Sequence, residues 1–338
     1  LKLLRLTKKG LYCQQGKFYL DPWSKVDHAI ISHGHADHAR WGMKHYLCHT
    51  DSKAILKQRL GKDLSIETMP YNKPRTINGV AVSFHPAGHV IGSAQIRLEY
   101  KGRVEVFSGD YKTQPDFITT PFEPVKCHSF ITESTFGLPI YRWKSEDAIQ
   151  KELHNWIGYN QSQNRTSVFV GYSLGKAQRI MSLIDGVDEV FVHRSIHNLN
   201  EAIASSGYKI PKTQLLTADF NKKDVEGKLI IVPPAMLDSR MFKRIPNAAT
   251  AICSGWMQIR GNRRWRAADA GFAVSDHADW DGLISAIKAT EAEEVYVTHG
   301  SQATFSRYLN EMSIEAYELK TEYGEEELAN SETKTADA

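Results

Sequence analysis

Residues 29–38 read A-I-I-S-H-G-H-A-D-H. The apolar run Ala29, Ile30, Ile31 is the pattern of a short buried strand, and it stops abruptly in a loop carrying His33, His35, Asp37 and His38. The same arrangement recurs along the chain. Phe18 and Leu20 alternate with Tyr19 and end at Asp21-Pro22. Val80, Val82 and Phe84 alternate and end in H-P-A-G-H, which contributes His89. A hairpin with Ile96, Leu98, Tyr100, Val104 and Val106 on one face ends at Ser108-Gly109-Asp110. Its other face, with Arg103 and Glu105, is expected to be wet. Val295 to Val297 runs into T-H-G and His299.

Imidazole and carboxylate without thiolate is the ligand set of zinc or manganese, not of a structural cysteine site. Seven such groups exceed one tetrahedral shell. They suit two metals sharing a bridging carboxylate, which at about 3.5–4 Å apart can share a hydroxide and clamp phosphoryl oxygens. A lone histidine such as His45, His85, His128, His154 or His197 implies nothing of the kind. With 14 histidines in 338 residues, the H-x-H-x-D-H cluster arises by chance in about one such chain in a thousand.

Composition sets the class. There are 42 basic and 39 acidic residues, a net charge of +3, with 41% hydrophobic and 24% charged residues. That is enough apolar material for a large core, and it excludes a disordered or collagen-like chain. The charge neither demands nor excludes a nucleic-acid partner. The longest charge-free run, residues 76–96, is broken by Asn78, His85, Pro86, Gly88, His89, Gly92 and Gln95, so strands and loops are expected there and no membrane span. Residues 1–10, LKLLRLTKKG, lack the apolar core of a secretion signal. Cys13, Cys48, Cys127 and Cys253 form no C-x-x-C pair and read as reduced, buried thiols. A cytoplasmic location is the expectation.

The middle of the chain alternates strands with helices. Ser145 caps a predicted helix with Glu146 and Asp147 in its first turn and Ile149, Leu153, Trp156 and Ile157 on one face. Strand-like runs follow at Val168–Val170, Val190–Val192 and Leu229–Val232, the first leading into Y-S-L-G-K-A-Q-R and a further helix. An α/β fold is the result.

Taken in order, H-x-H-x-D-H, G-H, S-G-D and T-H-G resemble the metallo-β-lactamase superfamily. The resemblance implies an αββα sandwich. It implies His33, His35 and His89 on one metal, Asp37, His38 and His299 on the other, Asp110 bridging, and Asp21 orienting the cluster from behind. I-T-E-S-T-F-G with Glu133, Y-S-L-G-K-A-Q-R at 172–179 and V-S-D-H-A-D-W with His277 are similar to the β-CASP nucleases, in which an α/β domain is inserted into that sandwich. Residues 1–141 and 258–323 would form the sandwich and 142–257 the insert, with a polar, disordered tail at 324–338. Together with S-G-W at 254–256, the chain up to that tail resembles the bacterial ligase-associated DNA exonucleases.

That resemblance implies two divalent ions, zinc favoured over manganese, and catalytic work by His277, Glu133 and Asp37. It also implies DNA as substrate in repair, cut 5′ to 3′ from 5′-phosphorylated ends, and an ATP-dependent DNA ligase and a helicase as partners. In the eukaryotic repair branch a histidine is commonly missing at the position of His299. Its presence keeps an RNA-processing β-CASP nuclease as the alternative; a small-molecule metallo-hydrolase is a weaker one.

Two further stretches suit a nucleic acid. Strand–YSLGK–helix presents backbone N–H groups at a helix start, making Ser173, Gly175 and Lys176 candidates for a terminal phosphate. Arg260, Arg263, Arg264 and Arg266 surround Trp265, as in a groove that tracks a backbone and stacks a base.

Overall fold

The computed structural model describes residues 1–259 and 268–321, and the chain is mixed α/β. It divides into two compact units, residues 1–142 with 277–321 and residues 143–276. Arg260, Arg263, Arg264, Trp265 and Arg266 lie outside the described residues, as does the tail expected from 324.

The first unit opens with a six-stranded sheet whose spatial order is its chain order: β1 (Leu4–Thr7), β2 (Gly10–Cys13), β3 (Phe18–Leu20), β4 (His28–Ile31), β5 (His45–His49) and β6 (Ile66–Met69). The pairs from β3 to β6 are parallel, and α1 (Ser52–Leu60) connects β5 to β6. A second sheet begins as an antiparallel meander of β7 (Arg75–Ile77), β8 (Val80–Pro86), β9 (Ala94–Tyr100) and β10 (Arg103–Phe107), to which β11 (Ser129–Glu133) adds in parallel.

The chain then builds the second unit from α2 (Glu146–Ser162), β12 (Thr166–Val170), α3 (Lys176–Leu183), β13 (Val190–Val192), α4 (Arg194–Ser205), β14 (Gln214–Leu215), α5 (Lys222–Val225), β15 (Leu229–Val232), β16 (Ala248–Cys253) and β17 (Ala270–Phe272). Ser145 caps α2 by accepting the Ala148 N–H, and Ile149, Leu153 and Ile157 turn inward. The sheet here is wholly parallel, in the order β14-β13-β15-β12-β16-β17. Both faces are covered, so its inner strands, such as L-I-I-V in β15, are continuously apolar.

Back in the first unit, α6 (Trp280–Thr290), β18 (Glu294–Thr298), α7 (Gln302–Glu311) and β19 (Ala316–Glu318) complete the second sheet in the order β19-β18-β11-β10-β9-β8-β7. Three apolar clusters define its layers. Phe18, Leu20 and Ile30 of one sheet meet Val82, Phe84, Ile96 and Leu98 of the other. Ile31, Tyr46 and Cys48 pack with Leu56 of α1 on the outer face of the first sheet. Val106, Phe130 and Val297 pack with Leu283 and Phe305 of α6 and α7 on the outer face of the second. The order is helix, sheet, sheet, helix.

Three features differ from the sequence reading. Val104 and Val106, expected on one face of the hairpin with Ile96, Leu98 and Tyr100, pair with Glu99 and Arg97 and pack on the opposite side of the sheet, because both faces of this sheet are covered. The chain returns to the first unit at His277, not at 258, because β17 pairs with β16 and belongs to the parallel sheet. Glu105, expected on a wet face, is fully buried. Its carboxylate accepts the backbone N–H groups of Lys2 and Leu3 at 2.5 and 3.0 Å on Oε1 and of Leu4 at 3.1 Å on Oε2, which replaces hydration with three fixed donors.

Candidate metal centre

Strand ends of the first unit bring the sequence-predicted residues together. Asp21 follows β3, His33, His35, Asp37 and His38 follow β4, His89 follows β8, Asp110 follows β10, and His299 follows β18. Each loop is braced. Asp21 sits at φ 39°, a region costly for a residue with a Cβ, and faces β4. Its Oδ1 accepts the Ser32 N–H at 2.8 Å, while Oδ2 takes the Ser32 hydroxyl at 2.5 Å and His38 Nδ1–H at 2.7 Å. The Ser32 hydroxyl lies 3.0 Å from His33 Nδ1, so one carboxylate orients two imidazoles. His89 is held through Ser93, whose Oγ accepts the N–H groups of His89 and Val90. At the T-H-G turn a Cβ on Gly300 (φ +66°) would stand 2.1 Å from the Ser134 carbonyl oxygen, which explains the glycine there.

The ring nitrogens form two groups around one carboxylate. In the first, His35 Nδ1 lies 3.1 Å from His33 Nε2 and 3.0 Å from His89 Nε2, and Asp110 Oδ2 is 3.5 Å and 3.8 Å from those two Nε2 atoms. In the second, Asp110 shares a potential site with His38 and His299. His38 Nε2 stands 3.4 Å from Asp110 Oδ1 and 3.5 Å from Asp37 Oδ2. That Nε2 is buried, and of the carboxylates among the described residues only these two approach it, at more than ordinary hydrogen-bond length. Three imidazole nitrogens, two of them within 3.1 Å of the third, are poorly served by the protons available to them. They are well served by a divalent cation. The donor set therefore fits metal.

The protein's own charges act on these groups in different directions. Burial holds the His33 imidazole well below its ordinary pKa, and the neighbouring His38 adds to this. Burial also opposes a charged His38, but Asp110 and Asp37 beside it raise its pKa well above the usual value. Asp110 lies well below the carboxylate range because His38, His277 and His33 together outweigh its burial. Burial lowers His299 as well.

Glu133 and His277 meet beside this cluster. Glu133 is fully buried at the end of β11, where Oε1 accepts the Tyr111 N–H at 2.8 Å. His277 Nδ1 lies 2.9 Å from both Glu133 oxygens, and its ring is 4.5 Å, centroid to centroid, from that of His89. A carboxylate only accepts, so the proton resides on Nδ1 and Nε2 is left for other chemistry.

The Y-S-L-G-K turn of the second unit is not an open phosphate cradle. Lys176 is buried, with Nζ 2.9 Å from Asp276 Oδ1 and over the Tyr172 ring. The Gly175 N–H is given to Gln178 Oε1 at 2.7 Å, and the Ser173 hydroxyl lies 2.7 Å from that of Ser195. The spacing is that of an anion site, but a buried aspartate stands where the anion was expected.

Several bracing groups were invisible in the sequence. Arg59 of α1 donates to the Gly34 carbonyl between His33 and His35, and Ser134 Oγ donates to the His299 carbonyl. Nothing in their local sequence marks them, since each works through a contact made far along the chain.

Comparison with known proteins places the chain near nucleases and a ligase. No family model matches it. It is 28% identical over 313 residues to a probable DNA ligase of Opitutus terrae, covering 92% of this chain and 30% of that protein. It is 30% identical over 202 residues to endoribonuclease ysh-1 of Neurospora crassa, covering 48% of this chain and 23% of that one. The endoribonuclease YSH1 of Saccharomyces cerevisiae is 26% identical over 205 residues, 48% of this chain and 26% of its own length. The chain thus spans under a third of the length of these relatives. A solved structure of a protein of unknown function from Enterococcus faecalis V583 superposes with a TM-score of 0.60 over 88% of this chain and 80% of its own, at 14% identity, a likeness of fold.

Proposed function

We propose that this chain, which resembles the β-CASP metallo-β-lactamase nucleases, is a two-metal phosphodiesterase that removes nucleotides from DNA ends. In this reading the helix–sheet–sheet–helix unit is the metallo-β-lactamase sandwich and residues 143–276 are its β-CASP insert. The observation that carries it is Asp110, one carboxylate facing both the His33–His35–His89 group and the His38–His299 group. Two divalent ions, zinc before manganese, would supply charge neutralisation and a hydroxide near neutral pH.

The protein's own groups do the rest. His33, His35 and His89 would hold one ion, Asp37, His38 and His299 the other, and Asp110 would bridge. Asp21 fixes His38 directly and His33 through Ser32, so the cluster is set before substrate arrives. Glu133 keeps the His277 ring oriented through Nδ1, so that an Nε2–H would be placed to protonate the leaving 3′-oxygen. Glu133 and the cluster residues are buried or half-buried, so the attacked phosphorus would be largely shielded from bulk water.

Preference for a 5′-phosphorylated end, with Ser173, Gly175 and Lys176 as its contacts, is the finer part of the proposal. It requires the phosphate to replace Asp276 at Lys176 Nζ, Gln178 Oε1 at the Gly175 N–H and Ser195 at the Ser173 hydroxyl. Lys176→Ala should therefore cut the ratio of 5′-phosphate to 5′-hydroxyl turnover by about tenfold, the worth of one charge-assisted hydrogen bond. An unchanged ratio removes these contacts. Association with an ATP-dependent DNA ligase and a helicase, in repair, is proposed from the ligase-associated resemblance, and the Opitutus relative's name accords with it.

The RNA-processing alternative, which the presence of His299 keeps open, is favoured further by the endoribonuclease names of several relatives. The decisive experiment is digestion of matched, end-labelled, 5′-phosphorylated DNA and RNA strands with zinc, manganese and magnesium in turn, alongside metal analysis. The proposal expects bound metal and mononucleotides released from DNA. Faster RNA cleavage would establish the alternative, and no cleavage of either with metal bound would end both.

A further inference from the structure

Phe117 is 79% exposed, the most exposed large apolar side chain among the described residues. Nothing about its backbone is slack. Asp116 Oδ1 accepts the N–H groups of Ile118 and Thr119 at 3.0 and 2.7 Å, a turn that leaves residue 117 at its outer corner. Asp116 Oδ2 is anchored 2.5 Å from Nζ of the fully buried Lys112. The turn is also fastened to the metal-centre loop. The Lys112 N–H donates to the Ala87 carbonyl at 3.0 Å, and the Thr119 hydroxyl, 2.8 Å from Asp116 Oδ1, reaches the Gly88 carbonyl at 3.1 Å. A Cβ on Gly88 would stand 2.3 Å from the Lys112 carbonyl oxygen, so the two loops are in direct contact immediately before His89.

A buried ion pair and a braced turn are costly devices for displaying one phenyl ring to water. Its chain neighbours are Asp116, tied into the ion pair, and the half-buried Ile118, with Pro115 and polar Gln114, Thr119 and Thr120 beyond, so the fully exposed apolar surface at this corner is one ring, about the size of one nucleobase. From these placements we infer that Phe117 is a stacking platform for an unpaired base of the nucleic-acid strand whose backbone is engaged at the neighbouring metal centre. Sequence-tolerant stacking on a rigid aromatic is the usual way to hold a single strand without reading it. The inference rests on the nuclease reading and adds to it a substrate class: a strand unpaired near the scissile linkage.

The test uses the full, metal-loaded chain and three probes: a phosphorothioate-linked single-stranded oligothymidylate, its abasic counterpart, and methyl p-nitrophenyl phosphate. Phe117→Ala should weaken binding of the oligothymidylate by about 5- to 100-fold, the range of one lost base–aromatic stack. Phe117→Trp should retain binding, and its indole emission should be quenched by the bases. Wild type should bind the abasic strand as weakly as Phe117→Ala binds the intact one, and Phe117→Ala should lose nothing further on it. Hydrolysis of methyl p-nitrophenyl phosphate should be unchanged, which separates stacking from damage to the centre. Equal affinity of wild type and Phe117→Ala for the oligothymidylate overturns the inference and would point to a protein-facing role. Wild type that cleaves neither DNA, RNA nor the small diester sinks the nuclease reading instead.

Discussion

Asp21 and His277 act on the candidate centre in different ways, and substitution should separate them. Asp21 reaches the cluster only through Ser32 and His38. Asp21→Asn preserves its size but removes the charge and one acceptor. Metal affinity should fall by about 10- to 100-fold, read by competition with a chelating dye. His277 pairs with Glu133 and lies outside both ligand groups of the proposal. His277→Ala should lower turnover by about 10²- to 10⁴-fold with metal content unchanged. Loss of metal on this substitution would make His277 a ligand and refute its assignment as the acid. The ligand-type residues were legible from the sequence because four of them crowd into six positions after a strand and the rest close other strands. Ser32, Ser134 and Arg59 were not, because a serine or an arginine carries no local sign of a partner 11, 165 or 25 residues away in the chain. Lys176 shows the opposite limit: its motif reads as a cation offered to an anion, and only the fold reveals Asp276 against it.

Among the elements, those with a single apolar period could be read directly. β8, β9, α2 and β15 fall where alternation, helical spacing or a continuous apolar run put them, whereas β10 falls in place with its two faces exchanged, Glu105 inward and Val104 and Val106 on the other side. β11 escaped notice because S-F-I-T-E is buried on both faces with Ser129, Thr132 and Glu133 inside, so polarity gives no pattern. α1 escaped for want of an apolar face, with only Ser52, Ile55 and Leu56 buried. β5 carries a further consequence at its end. His49 is buried and stacks on Tyr71 with ring centroids 3.5 Å apart. Burial pushes its pKa down to about 4, only partly opposed by Asp51. Unfolding then takes up a proton between pH 6.5 and 4. The contribution of a neutral His49 is complete above about 6.5 and is lost as pH falls through 4, by up to about 3 kcal/mol. His49→Phe should flatten that part of the stability–pH curve, measured by urea titration at steps of half a unit. A curve as steep as that of wild type would show that His49 does not supply it.

For the whole molecule, the proposed ligands all belong to the first unit and come from four separate strand ends spanning residues 33 to 299. Metal binding should therefore stabilise that unit specifically. In calorimetry, a chelator should lower the melting transition of the first unit and leave the second unit's in place. A single transition shifted as one would contradict this. β18 lies between β11 and β19, yet the whole of the second unit is threaded between β11 and β18 in sequence. During synthesis, the ribosome must deliver more than a hundred residues of unrelated fold before the strand carrying His299 emerges. Until then β11 offers an unpaired edge to any neighbouring polypeptide, and the candidate metal centre lacks one of its residues. A truncated translation product would be prone to clumping, and under the proposed nuclease reading it would be harmless to nucleic acid, competence to cut arising only after both halves of the first unit have been made.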